Sequence, residues 1–180
     1  MNTRTKNITF TALMTAVMCI LSPVTIPAGP VPVSLSTLVI LLTVYILGTS
    51  RALAAVSVYI LIGLVGVPVF SGFSAGPAKL LGPTGGYIIG YIPMAAVAGL
   101  VIDRYWKNRF ISAAGMLAAT AVLYTLGTAW LAYSAGMNFT SALAAGVIPF
   151  IPLDLIKILI SALIGPVLKI KLSFFISRSL

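Results

Sequence analysis

Long apolar runs alternate with short polar segments along the whole chain, and the polar segments carry almost all of the charge. A helix that crosses a bilayer needs about 17–25 mainly apolar residues. Six runs approach that length, at about 8–23, 34–47, 51–67, 84–102, 111–133 and 152–170, the second being short. Between the first two, Thr25 to Val33 holds too many prolines for a helix and is expected to be extended or re-entrant. Pro68 to Pro83 is a long loop rich in glycine, serine and proline, Asp103 to Arg109 is a basic loop, and Ala135 to Phe150 has room for a short interfacial helix. The pattern predicts an all-α integral membrane protein, residues 1–180 forming a single transmembrane domain of six helices.

The charges orient those helices. With both termini inside, the inner segments hold Arg4, Lys6, Arg51, Arg104, Lys107, Arg109, Lys169, Lys171 and Arg178, nine of the eleven basic residues. Every inner segment therefore obeys the positive-inside rule, and dropping one helix would scatter the cations over both faces. Only Lys79 and Lys157 fall on the outer side.

Composition supports the membrane reading and removes others. The 180 residues are 60% hydrophobic and 7% charged, against about 25% charged in soluble domains, and the mean hydropathy is +1.15. The net charge of +9 lies between apolar segments rather than on one basic face, so nucleic acid is not the expected partner. One cysteine, Cys19, allows no disulfide framework. With two acids and no histidine, the chain has too few ligands for a zinc or di-metal site. The basic N-terminus precedes an apolar run without a convincing small-x-small cleavage site, so a retained first helix is expected.

Asp154 is one of two acidic residues and lies between apolar runs, 141–151 and 158–165. An ionisable group at membrane depth costs about 2.5–3.5 kcal/mol on insertion scales, which makes it a functional candidate. Lys157 follows on the same helical face. Pro149 and Pro152 mark the helix start, the one place where proline is tolerated. The bland reading is an intrahelical ion pair with Asp154 at the positive end of the helix dipole. The functional reading turns both groups toward a ligand. The other acid, Asp103, sits among basic residues and reads as a solvated surface charge.

A second stretch runs from Ser74 to Tyr87. Its glycines let backbone approach a ligand, the free N–H groups near Thr84 and Gly85 can cradle an anion, and Lys79 adds positive charge. Equally, Gly82, Gly86 and Gly90 form a small-residue ridge for helix packing. In the first helix, Ala12 and Ala16 stand four apart; this fits packing inside the bundle, the reading spacing alone favours, or docking to a partner membrane protein. No G-x-x-x-x-G-K-[ST] is present, so the chain cannot energise transport by hydrolysing ATP itself, and no Gly-x-Ser-x-Gly or His-Glu-x-x-His occurs.

Three of these stretches together resemble the BioY family, the biotin-specific S components of energy-coupling-factor (ECF) vitamin transporters. They are Pro30-Val31-Pro32-Val33, Gly82-Pro83-Thr84-Gly85-Gly86-Tyr87 and Pro152-Leu153-Asp154-Leu155-Ile156-Lys157. Ala12-x-x-x-Ala16 looks like that family's alanine motif for docking the transmembrane T component. The resemblance implies a six-helix S-component fold in the cell membrane with biotin held near the outer surface under capping loops. It also implies a T component and two ATP-hydrolysing subunits as partners, and a loaded S component that topples to deliver biotin inward.

Biotin suits these residues chemically. Its ureido ring offers two N–H donors to a carboxylate such as Asp154 and a carbonyl to Lys157. Its valerate carboxylate would take Lys79 or the amides near Thr84 and Gly85. Its apolar parts would take Tyr87, Tyr91 and Phe73 as walls. Three other readings stay open at this point: an S component for another vitamin, a membrane-embedded enzyme, and a structural membrane subunit. No resident cofactor is expected.

Overall fold

The computed structural model describes residues 3–26 and 31–177. Its helices are α1 (Thr3–Leu21), α2 (Ser36–Leu47), α3 (Thr49–Leu64), α4 (Pro77–Leu81), α5 (Gly85–Tyr105), α6 (Arg109–Ser134), α7 (Phe139–Gly146) and α8 (Ile151–Ser177). Two short strands, β1 (Thr25–Ile26) and β2 (Val33–Ser34), pair antiparallel with Thr25 opposite Ser34 and Ile26 opposite Val33. Part of the proline-rich stretch is therefore extended; its centre, including Pro30, lies outside the described residues.

The protein is a mostly helical membrane protein. Helices α5, α6 and the 151–172 part of α8 are long and apolar enough to cross a bilayer. Helices α2 and α3 are apolar but hold 12 and 16 residues, which at 1.5 Å per residue is about 18 and 24 Å, short of a hydrocarbon core of about 30 Å. The helix starts have local causes. Gly48, at φ +75°, turns the chain between α2 and α3. The Asn108 side chain accepts the N–H groups of Phe110 and Ile111 to cap α6. Pro152 occupies the first turn of α8.

The core is built where backbones come close. A Cβ on Gly86 would overlap Trp130, one on Gly90 would stand 2.9 Å from Leu123 Cδ1, and one on Gly127 would overlap the Tyr87 ring. Helices α5 and α6 thus pack through Gly86, Gly90 and Gly127, which is the packing reading of the ridge at Gly86 and Gly90; Gly82 instead ends α4, where a Cβ would stand 3.1 Å from the Ala78 carbonyl oxygen. Trp130 Nε1 donates to the Gly82 carbonyl at 2.9 Å and ties the start of α5 to α6. A Cβ on Gly165 of α8 would stand 2.6 Å from Tyr45 Cγ of α2.

At the opposite end from the α8 start, Asp103 does more than face water. Its Oδ2 accepts from Thr49 N at 3.0 Å and Thr49 Oγ1 at 2.6 Å, and Lys169 Nζ lies 3.9 Å from Oδ1. One half-exposed carboxylate therefore caps α3 and links it to α5 and α8, because the first N–H groups of a helix lack intrahelical partners.

The close approach predicts a measurable cost. Gly127→Val is expected to destabilise the purified protein by about 1–3 kcal/mol through overpacking, seen as a lowered thermal unfolding midpoint in detergent. Ala129→Val, on the exposed side of α6, is expected to leave the midpoint unchanged.

Candidate ligand-binding site

The start of α8 brings a carboxylate and an ammonium into the bundle interior. Asp154 and Lys157 are both buried, and Lys157 Nζ lies 2.7 Å from Asp154 Oδ1. Lys157 also donates to the Ser34 carbonyl at 2.7 Å and to Thr37 Oγ1 at 3.1 Å. An ammonium has three N–H donors, so all three are used. The Thr37 hydroxyl in turn donates to Asp154 Oδ1 at 3.1 Å, and Tyr124 donates to Asp154 Oδ2 at 2.7 Å. The pair is held by three elements besides its own: β2 through Ser34, α2 through Thr37 and α6 through Tyr124. Asp154 also lies in the first turn of α8, where the helix dipole favours a negative charge.

A small cavity opens on this pair, with about 40 Å³ of free space. Its walls are Val31, Pro32 and Ser34 from the hairpin, Thr37, Tyr87 and Tyr91, Leu123 and Tyr124, then Gly146, Phe150, Asp154 and Lys157. Tyr87 is fixed by donating to the Gly146 carbonyl at 2.9 Å. Gly146 leaves room for that hydroxyl, which a Cβ would meet.

Of the residues singled out in the sequence, the cavity collects Asp154, Lys157, Tyr87 and Tyr91. Lys79, Thr84, Gly85 and Phe73 lie outside its lining. Phe73 is 68% exposed and sits at φ +55° in the loop before α4. Lys79 is half-buried on α4, and that burial lowers the affinity of its amine for a proton below the ordinary lysine value. Gly85 is needed for a different reason: a Cβ there would overlap the Leu80 carbonyl. Thr84 is buried, and its Oγ1 has no hydrogen-bond partner among the described residues.

Thr37 and Tyr124 are contacts to the pair that sequence reasoning missed. A signal for Thr37 was its place one turn after the Pro32-Val33-Ser34 corner. For Tyr124 the only signal was a phenol inside an apolar helix.

Ala12 and Ala16 are exposed rather than packed inside the bundle. They line a groove of about 680 Å³ between α1 and α3, with Ala54, Val58 and Ile62 on its far wall. Helix α1 meets α3 instead through Thr15, whose hydroxyl approaches the Ala55 carbonyl at 3.3 Å. Packing within the bundle, the reading that spacing favoured, therefore does not hold for these two alanines.

The architecture is that of a membrane S component. It superposes on the 2.1 Å crystal structure of the S-component for biotin from an ECF-type ABC transporter with a TM-score of 0.86 and 28% identity, over 92% of each chain. A model of the BioY family matches residues 1–174. The Biotin transporter BioY of Thermotoga maritima is 36% identical over 157 residues, covering 87% of this chain and 92% of that one. The Biotin transporter BioY2 of Lactococcus lactis subsp. cremoris is 31% identical over 164 residues, 91% and 90% of the two chains. The chain belongs to the BioY family.

The bridging hydroxyl gives a direct test of the geometry. Thr37→Val keeps the shape but leaves Lys157 and Asp154 each one partner short. It is expected to lower stability by about 1–3 kcal/mol, read as a drop in the unfolding midpoint in detergent, with Thr37→Ser recovering most of the loss.

Proposed function

We propose that this protein is the biotin-binding S component of an ECF-type uptake transporter in the cell membrane. In this reading six helices span the bilayer with both termini inside. A T component and two ATP-hydrolysing subunits drive the loaded protein to topple and release biotin inward. Family membership over residues 1–174 supports the class. The observation that carries the ligand is the Asp154–Lys157 pair, buried under a cavity and fully hydrogen-bonded. Replacing a buried pair by apolar residues is often neutral or stabilising, so fold stability is a weak reason to keep one.

Biotin's ureido ring is the natural complement of the pair, with two N–H donors for Asp154 and a carbonyl acceptor for Lys157. Tyr87 and Tyr91 supply aromatic walls. The valerate carboxylate extends toward the α4–α5 corner, to Lys79 and the Thr84 hydroxyl, which has no partner among the described residues; the Gly85 N–H is already given to the Gly82 carbonyl. Pairing with that carboxylate would offset the burial of Lys79, and Phe73 would close over the tail. Ligand pockets hold about 300–1,000 Å³, so the cavity of about 40 Å³ is a closed form whose walls separate to admit biotin. The groove at Ala12 and Ala16 is the surface for the T component, since small residues let a partner helix come close.

Two outcomes follow. Detergent-purified wild type binds radiolabelled biotin saturably and near one to one, and Asp154→Asn loses at least about thirtyfold in affinity, on the order of the 2–5 kcal/mol that truncating one partner of a buried pair costs. Binding unchanged in the variant would return Asp154 to a structural role, and no binding by folded wild type would refute biotin. Ala12→Leu/Ala16→Leu is expected to keep biotin binding and abolish co-purification with the T component and ATPases. Normal assembly by that variant would place docking elsewhere.

A further inference from the structure

Asp154 Oδ1 accepts from Lys157 and Thr37, while Oδ2 accepts only the Tyr124 hydroxyl among the described residues. These partners are not equally fixed. Lys157 lies one turn along the same helix, and Thr37 is tied to both charged groups. Tyr124 contributes a single hydrogen bond, at 2.7 Å, from a facing helix, so its release disturbs neither Lys157 nor Thr37.

Tyr124 also stands between two spaces. One is the cavity over the ion pair; the other, of about 120 Å³, is a groove in the seam where α6 meets α8, open to the outside of the bundle at the exposed Leu117, Ala121, Ile151 and Leu155, with Thr120 and Ile158 at its base. Both are bounded by Tyr124 and Asp154. Thr120 lies one turn before Tyr124, and its proton goes to the Met116 carbonyl at 2.9 Å. Its hydroxyl oxygen therefore keeps lone pairs to receive a phenol that swings into the seam.

We propose that Tyr124 is a specificity-determining residue: its hydroxyl holds the position on Asp154 Oδ2 that a ligand N–H takes, and its ring yields into the α6–α8 seam when that exchange occurs. A ligand lacking an N–H at that point would displace the phenol and leave a buried carboxylate oxygen unpaired, so it is rejected. The exchange at Oδ2 swaps one hydrogen bond to Asp154 for another, while Lys157, whose three N–H groups are all engaged, turns one of them from Ser34 or Thr37 to the ligand's carbonyl.

The inference rests on the biotin reading above, and the test separates the two. Equilibrium binding of biotin is measured for wild type, Tyr124→Phe and Ala121→Leu, with thermal unfolding in detergent as the folding control. Tyr124→Phe removes a charge-assisted hydrogen bond to Asp154 from the unliganded state and only a neutral one to Thr120 from the liganded state, so it is expected to bind biotin about tenfold tighter and to show a larger biotin-induced rise in midpoint than wild type. Ala121→Leu, which fills the receiving seam without touching the polar groups, is expected to bind about tenfold weaker. Unchanged or weaker binding by Tyr124→Phe overturns the inference while wild-type binding upholds biotin. If Tyr124→Phe does not fold, unchanged binding by Ala121→Leu overturns it. A folded wild type that binds no biotin sinks both.

Discussion

A charge pair placed inside a membrane bundle must find its hydrogen bonds within the chain, and the arrangement around Asp154 and Lys157 follows from that requirement. Water is absent from the hydrocarbon core, so each unmet donor or acceptor costs several kcal/mol. The chain meets the demand with a backbone carbonyl from Ser34, a hydroxyl from Thr37 and a phenol from Tyr124. Those groups come from a hairpin strand and two helices far apart in sequence. Satisfying the pair therefore fixes how the hairpin, α2 and α6 meet the start of α8.

The close helix packing serves the same end. Glycines at 86, 90 and 127 let α5 and α6 approach, which sets Tyr87, Leu123 and Tyr124 on one wall. Trp130 anchors that wall to Gly82, and the Tyr87 hydroxyl anchors it to Gly146. At the other end Asp103 ties α3, α5 and α8 together through Thr49 and Lys169. The two acidic residues of the chain thus hold opposite ends of the bundle. One is half-exposed and caps a helix; the other is buried beside a cavity.

Much of this was legible in the residues. Apolar run lengths located the spanning parts of α5, α6 and α8, because a bilayer asks for a run of set length, but α8 continues past 170 to Ser177, and α2 and α3 are shorter than that length. The N-terminal helix is longer than its apolar run, since Arg4 and Lys6 extend it into a polar region. The ion pair was visible because a charge in an apolar segment is costly. Thr37 and Tyr124 were not, because hydroxyls are common in membrane helices and their partners are set by tertiary packing. Likewise the exposure of Ala12 and Ala16 depends on how α1 is rotated against α3, which spacing alone leaves open. Asp103 was hidden by the basic residues beside it, which suggested solvation where the structure has a cap.

The central claim is that Asp154 receives the ligand directly, and its carboxylate stretch reports this most directly. With only two acidic side chains in the chain, carbon-13 labelling of aspartate gives two carboxylate bands, distinct from biotin's own, and Asp103→Asn identifies which is which. Infrared difference spectra on adding biotin are predicted to shift the Asp154 antisymmetric stretch and leave the Asp103 band in place. An Asp154 band that does not move while biotin binds stoichiometrically would contradict the account.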